Sequence, residues 1–209
     1  MSRFADVDAV TIDGYGTLLE LRDPIGHLDR ELRARGVELP RAEIERGFDA
    51  EVAYYTANNQ EAGDEESLAR LYVGCAAAFL DELGLELDPA DFAHAYPYEF
   101  QTLPGAAETV QALAGRGLAL AVVTNWDYGA RAELRRHGLE QHFRTIVVSA
   151  EIGSRKPDPE PLRVALERLG VRSKRAVHVG DHESDEHGAA AAGLAFRPAP
   201  LATAFEGWT

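Results

Sequence analysis

Four short segments of the chain carry residue types that could do chemistry together. Asp13-Gly14-Tyr15-Gly16-Thr17-Leu18 offers a carboxylate followed by backbone that glycine allows close to a ligand. Such a carboxylate can attack an electrophile or hold a cation, although Asp-Gly after a strand can equally form a hairpin turn. Thr124-Asn125 ends an apolar run with a hydroxyl and an amide, able to bind a polar group or to cap a helix. Lys156-Pro157 precedes a helix opening at Asp158-Pro159, which places a cation near exposed helix-start amides; a solvated loop lysine is the plainer alternative. Gly180-Asp181 with Asp185 brings two carboxylates to a strand end, where they could hold a hard cation or where one could cap the next helix.

These segments need elements to position them. Residues 7–12 are rich in β-branched and apolar types, and the Gly-containing turn follows at once, so a buried strand ending at Asp13 is predicted. Asp23-Pro24 then opens an amphipathic helix with Ile25, Leu28 and Leu32 on one face, ending at Gly36. Ile44, Phe48, Val52 and Tyr55 mark a second helix, and Leu68, Leu71, Tyr72, Cys75, Phe79 and Leu83 a third, before Gly84. Together they read as a small helical bundle, with the polar residues 58–66 a loop that is either solvated filler or overhangs a site. After Leu103-Pro104-Gly105 strand and helix alternate: 118–124 then 128–137, 145–149 then 159–169, 176–179 then 185–192. Repeated βα units imply a parallel sheet covered by helices, and continuous apolar strands such as Leu-Ala-Leu-Ala-Val-Val suit a sheet buried on both faces. The expected class is therefore α/β, a Rossmann-like core of residues 1–18 and 98–209 interrupted by an all-helical insertion, residues 19–97. No internal repeat or low-complexity tract is visible. In such sheets ligands bind beyond the carboxyl ends of the strands, which is where all four segments fall.

Composition narrows the partners. Hydrophobic residues make up 45% and charged residues 27% of 209, the balance of a globular chain. Asp and Glu total 35 against 21 Lys and Arg, and the formal charge of -14 opposes binding to nucleic acid or to an anionic membrane. A small-molecule substrate is expected. Residues 1–10 carry no basic segment followed by a long apolar run, and no apolar stretch is long enough to span a bilayer, so a cytoplasmic location is expected. Cys75 stands alone and is read as packing.

Taken jointly, D-G-Y-G-T-L, T-N, K-P and G-D-x-x-x-D resemble the four motifs of the haloacid dehalogenase superfamily, over the whole chain. Among its branches the chain is similar to the haloacid dehalogenase-like hydrolase domain-containing proteins. The resemblance implies a Rossmann-like core with a mobile helical cap of the C1 type. It also implies Asp13 as nucleophile, with Gly14, Thr124 and Asn125 beside the transferred group and Lys156 neutralising its charge. Magnesium would be supported by Asp13, the Tyr15 carbonyl, Asp181 and Asp185. The physical logic agrees: a phosphoryl group needs its oxygens neutralised before a carboxylate can attack, and Asp13 would then form an aspartyl-phosphate that water cleaves. The partner implied is a phosphate ester.

One position departs from that pattern. Phosphatases of the superfamily usually carry a second aspartate two residues after the nucleophile as general acid and base, and this chain has Tyr15. A tyrosine there resembles the hydrolytic 2-haloacid dehalogenases, which need no leaving-group proton. Those enzymes lack the Gly-Asp of the fourth motif, which this chain keeps. Clustered carboxylates beside Asp13 would hinder attack on an anionic haloacid without a cation, which favours the phosphatase. A third reading is a phosphate- or partner-binding module, against which Asp13, Lys156 and Asp181 argue. Asp127 or His182 could replace the missing acid, or both are surface polar residues. His178, His182 and His187 suggest a transition-metal site but lack firm ligand spacing. Trp126 lines a substrate mouth or covers the core edge; Tyr54, Tyr55 and Tyr72 are read as packing within the helices.

Overall fold

The computed structural model describes residues 4–208. It divides into two compact units, Met1–Glu20 with Gln101–Thr209 and Leu21–Phe100.

The first unit is built on a five-stranded parallel sheet. Its strands are β1 (Ala9–Ile12), β4 (Ala119–Thr124), β5 (Thr145–Val148), β6 (Ala176–Gly180) and β7 (Ala195–Pro198), in the spatial order β5-β4-β1-β6-β7. β1 lies at the centre, pairing Ala9 with Ala119 on one side and with Ala176 on the other. Every residue of β1, β4 and β6 is buried, which explains why these strands are mostly Ala, Val, Leu and Ile, with Thr11, Thr124 and His178 the polar exceptions and no polar alternation. The chain moves outward from β1 through β4 to β5, then returns to the other side of β1 for β6 and β7. The order therefore reverses at β1, and the crevice beyond its carboxyl end is the natural place for a ligand.

The helices of this unit are α5 (Ala106–Gly115), α6 (Ala130–Arg136), α7 (Ser149–Ile152), α8 (Glu160–Leu169), α9 (Glu183–Ala192) and α10 (Leu201–Ala204). α8 presents Leu162, Ala165, Leu166 and Leu169 to Ala9, Ala121, Val123 and Val147 of the sheet. α9 packs against β6 and β7. β7 is missing from the sequence expectation because Ala-Phe-Arg-Pro is short, only partly buried and ends in proline, a composition tolerated at a sheet edge.

The second unit contains α1 (Pro24–Ala34), α2 (Arg41–Asn58), α3 (Glu65–Leu83) and α4 (Pro89–Phe92). Asp23 caps α1 by accepting from the Gly26 N–H, with Pro24 at the first helical position. Leu28, Leu32, Ile44, Leu71, Cys75, Phe79 and Phe92 form the core. Gly47 of α2 sits against the Phe79 ring, so α2 and α3 approach more closely there than any side chain would allow. Two short strands, β2 (Leu19–Leu21) and β3 (Phe100–Thr102), pair with each other where the chain passes between units. Neither was expected, since three-residue strands leave no periodic signal.

Two expectations for the helices need correction. Val52 is exposed, 42%, so it does not pack in the core; the face of α2 that is buried runs through Ile44, Gly47 and Glu51, while Tyr54, though 37% exposed, lays its ring against Gly74 of α3. Tyr55 and Tyr72 do lie against that core. The polar segment 58–66 is no open loop: Asn59–Glu61 form a 3-10 turn with Asn59 and Ala62 buried, and Asp64 with Ser67 make a capping box for α3.

Glu51 is the unusual member of this unit. It is a buried carboxyl that accepts a hydrogen bond from the Tyr98 hydroxyl at 2.6 Å, and burial pushes its pKa up to about 7 from an ordinary 4.5. The neutral form is thus favoured by folding. Below pH 4.5 both folded and unfolded chains hold the proton; between 4.5 and about 7 only the folded one does, and stability falls as pH rises through that window. Glu51→Gln keeps an acceptor for Tyr98 and cannot ionise. It is expected to raise stability above pH 7 by about 2–3 kcal/mol and to leave it unchanged at pH 4, measured by urea melts at both values.

Candidate active site

The carboxyl ends of β1, β4 and β6 bring the four sequence segments together. Asp13 directly follows β1, and its N–H donates to the Val179 carbonyl at 2.9 Å, which fixes it against β6. Gly14 passes the end of β4 so closely that a Cβ there would stand 2.8 Å from Thr124 Oγ1. Gly16 has φ 82°, and a Cβ would collide with the Asp181 carboxylate, so the turn needs glycine for both its conformation and its space. Its carbonyl neighbours close the turn: Leu18 and Leu19 N–H groups donate to Gly14 O.

Lys156 is the centre of the arrangement and only 1% exposed. This overturns the reading of a solvated loop lysine. Its Nζ donates to Asp13 Oδ1 at 2.6 Å, to Asp185 Oδ1 at 2.5 Å and to the Val123 carbonyl at 2.7 Å, which uses all three ammonium protons. Asn125 holds the loop that delivers it: its amide oxygen accepts from the Lys156 N–H and its amide nitrogen donates to the Lys156 carbonyl, both at 2.8 Å. With both ends of its side chain engaged in this clamp, Asn125 positions the lysine. Thr124 is the last residue of β4 and buried, beside Gly14.

Asp181 and Asp185 follow β6. Asp185 is buried, and its Oδ2 accepts from the His182 N–H at 3.1 Å, closing the start of α9, so it serves as a cap while also receiving Lys156. Gly180 leaves room for that carboxylate, since a Cβ would overlap it. Asp13, Asp181 and Asp185 each place a carboxylate oxygen within 4.8 Å of the others. Three carboxyls face one ammonium, and all the donors are oxygen, a set that suits a hard divalent cation such as magnesium.

The electrostatics follow from burial. Desolvation lifts the Asp13 pKa to about 6, with the Lys156 ammonium pulling against it and Asp185 and Asp181 adding to it. Burial works against the Lys156 charge too, yet the two carboxylates outweigh it and the ammonium is held more firmly than usual. Asp185 is desolvated, but His178 and Lys156 hold its carboxyl well below the ordinary range. Asp181 is shifted upward by burial and by Asp185. Tyr15 is half-exposed at 51%, and burial with the nearby Asp181 pushes its hydroxyl up from 10, away from neutral pH.

The remaining candidates divide. Asp127 is buried at 2%, contrary to the surface reading, and its Oδ1 accepts from the Gly129 N–H at 2.6 Å, where it shapes the entry to α6. His182 is exposed and caps α9, its Nδ1 accepting from the Ser184 N–H at 3.1 Å. His187 is exposed, and among the described residues no metal-binding group includes a histidine. Trp126 is buried, with its N–H donating to Ser149 Oγ at 3.1 Å and its ring edge-on to Tyr15 at 6.4 Å. Sequence reasoning passed over Ser149, and it passed over the contact of His178 with Asp185 at 3.0 Å. The signal for the second was a polar residue inside the apolar run Ala-Val-His-Val-Gly.

Residues 87–197 match the Haloacid dehalogenase-like hydrolase family. Haloacid dehalogenase-like hydrolase domain-containing protein 3 of Mus musculus is 31% identical over 197 residues, 88% of this chain and 78% of that protein. A phosphoglycolate phosphatase of Rhodospirillum rubrum is 38% identical over 143 residues, 68% of this chain and 54% of that protein. Among solved structures, the orthorhombic form of a Bacillus subtilis HAD-hydrolase bound to magnesium has a TM-score of 0.70 at 22% identity, covering 91% of this chain and 85% of that one. The family match takes in more than half of the chain, and the mouse relative aligns with most of it across core and insertion alike: this chain belongs to the haloacid dehalogenase-like hydrolase family and is a hydrolase with its Rossmann-like α/β fold.

Proposed function

We propose that the chain is a magnesium-dependent phosphatase of a small phosphorylated metabolite, with Asp13 as nucleophile. The observation that carries this reading is the buried Lys156 ammonium bridging Asp13 and Asp185 beside Asp181. Asp13, Asp181 and the Tyr15 carbonyl would hold magnesium, with Asp185 behind them. The ion would neutralise phosphoryl oxygens beside Asp13, a role that Lys156 shares. Lys156 engages Asp13 Oδ1, which leaves Oδ2 for bond formation. Asp13 Oδ2 attacks phosphorus, the ester oxygen departs with the bonding pair, and water then attacks the aspartyl-phosphate, releasing phosphate and restoring the carboxylate. Thr124 and the Gly14 backbone border the position of the transferred group. The helical unit Leu21–Phe100 is inserted in the chain between β1 and β4, the place in the chain of the helical cap that the resemblance to the superfamily implies. With a single cysteine, Cys75, the chain cannot form an internal disulfide, which fits the reducing cytoplasm.

No helix of the described residues is long and apolar enough to cross a membrane, and a net charge of -14 directs the site toward small substrates. The test is a screen of phosphate esters and 2-haloacids, with magnesium and with a chelator, scoring phosphate and halide release. Phosphate release abolished by chelation is expected. Halide release that survives chelation would replace this reading with the 2-haloacid dehalogenase, the reaction that Tyr15 favours. Release of neither, with tight binding of phosphate, would leave a binding module.

Tyr15 sets the substrate range. Its hydroxyl is too weak an acid to protonate a leaving group at neutral pH, so aryl and acyl phosphates are expected to react far faster than alkyl phosphates. Because the side chain is half-exposed, Tyr15→Asp costs little packing, and it is expected to raise turnover of alkyl phosphates about a hundredfold while changing aryl phosphates little. Rates measured on esters of graded leaving-group pKa check this. A wild-type rate independent of leaving-group pKa would mean that another residue donates the proton.

A further inference from the structure

We infer that His178, with its ring set by Thr11, is a positioning residue that orients Asp185 and through it the Lys156 ammonium. The inference rests on the reading of Asp13 and Lys156 as catalytic machinery.

His178 is fully buried in β6, directly opposite Thr11 of β1, at the middle of the sheet. A polar ring there is costly unless both nitrogens are satisfied, and both are. Nε2 lies 3.0 Å from Asp185 Oδ1; Nδ1 lies 2.9 Å from Thr11 Oγ1 and 3.1 Å from the Thr11 carbonyl. An ionised Asp185 can only accept, so the proton between them sits on Nε2. In the neutral ring Nδ1 is then an acceptor, and the Thr11 hydroxyl is the donor in reach. The resulting order is Thr11 O–H to His178 Nδ1, then His178 Nε2–H to Asp185 Oδ1, which also receives Lys156.

Asp185 is consequently fixed at both oxygens, Oδ1 by His178 and Lys156 and Oδ2 by the His182 N–H. Without His178 the carboxylate keeps only the lysine and one backbone donor and gains freedom to turn. Lys156 depends on Asp185 for one of its three acceptors, so a turned carboxylate loosens the ammonium that Asp13 needs. Partners of this kind, standing one shell behind the reacting groups, typically change activity by about 10–100-fold when removed.

The test uses the full chain as wild type, His178→Phe, His178→Gln and Thr11→Val. Phenylalanine fills the ring's volume without a donor, glutamine restores an N–H at the reach of Nε2, and valine removes the hydroxyl alone. Nitrogen-15 spectra should show wild-type His178 as a neutral ring protonated at Nε2, and a mixture of ring tautomers in Thr11→Val. The protected Lys156 side-chain ammonium resonance should be visible in wild type, lost in His178→Phe and recovered in His178→Gln. With p-nitrophenyl phosphate and saturating magnesium, kcat should fall about 10–100-fold in His178→Phe with KM within twofold, and His178→Gln should recover most of it. An unchanged ammonium resonance in His178→Phe, or a wild-type ring protonated at Nδ1 alone, overturns the inference. Should His178→Phe fail to fold, the tautomer in Thr11→Val and the resonance in His178→Gln decide it. Absence of any turnover in wild type would count against the phosphatase reading, while the two resonance measurements still judge His178.

Discussion

Replacing Asp13 by asparagine is expected to lower turnover by at least about a thousandfold while the protein remains folded, because an amide is a poor nucleophile and removal of a covalent nucleophile forfeits most of the chemistry. The stability side of the prediction is the sharper one. Burial lifts the Asp13 pKa to about 6 even with Lys156 alongside, so at pH 7 the folded protein holds an ionised carboxyl that it would prefer neutral. The neutral amide removes that burden, and Asp13→Asn is expected to melt at the same temperature as wild type or above it. Lys156 keeps Asp185 and the Val123 carbonyl as acceptors, so the ammonium does not become an isolated buried charge. A stability optimum sacrificed at a catalytic position is common in enzymes. Steady-state assays and thermal melts on the same preparation check both halves. Wild-type turnover in Asp13→Asn would remove the nucleophile from the proposal, and a large drop in melting temperature would mean that Asp13 is there for the fold.

Lys156→Met is expected to fail in the opposite way, losing activity and stability together. Methionine preserves much of the stem volume, but Asp13 and Asp185 are then left buried and facing each other without a cation. Removing one member of a buried ion network typically costs about 3–5 kcal/mol at neutral pH, where both remaining carboxyls are driven to ionise. The loss has a signature. With the lysine gone Asp13 loses the charge that pulls its raised pKa down, while His178 still holds Asp185 low, so the penalty is full well above the folded-state value of Asp13 and fades as pH falls toward its unfolded value near 3.8. Urea melts of wild type and Lys156→Met at pH 7.5 and pH 4.5 measure it: a wide gap at the higher pH and a narrow one at the lower are expected. Added magnesium should narrow the gap at pH 7.5, since the carboxyl cluster then regains a cation. Equal stability of the two proteins at pH 7.5 would mean that water reaches the cluster and that the Lys156 contacts carry little energy.

The contrast between these two substitutions shows what local sequence could and could not reveal. The strands around Asp13, Thr124 and Gly180 were legible because a sheet covered on both faces demands continuous apolar runs, and such runs are visible in any window of the chain. The reversal of strand order at β1 is consistent with the alternation of strand and helix, but only the hydrogen-bonded register places β1 between β4 and β6. β2 and β3 were lost because three residues leave no period to read, and β7 because it is a partly buried edge strand ending in proline.

The site divides along the same line. Residue types and their order put Asp13, Thr124, Lys156 and Asp181 at strand ends, and glycine at positions 14 and 16 already implied close backbone approach, which the turn at φ 82° and the neighbouring Asp181 now explain. Burial and partnership were not legible. Lys156 and Asp13 are 143 residues apart, and nothing within a turn of either tells a solvated lysine from one that is enclosed by two carboxylates and a carbonyl. Asn125 looked like a group for binding substrate and also holds the lysine's backbone; Asp127 looked exposed and is buried; His178 looked like one of three loosely spaced histidines and joins Thr11 to Asp185. Sequence determined which chemical groups arrive at the carboxyl edge of the sheet, because periodicity and glycine placement act over a few residues. Tertiary structure alone decided which of them face one another and how far from water, and so which charges are held, because desolvation and ion pairing depend on neighbours that the chain supplies from distant segments.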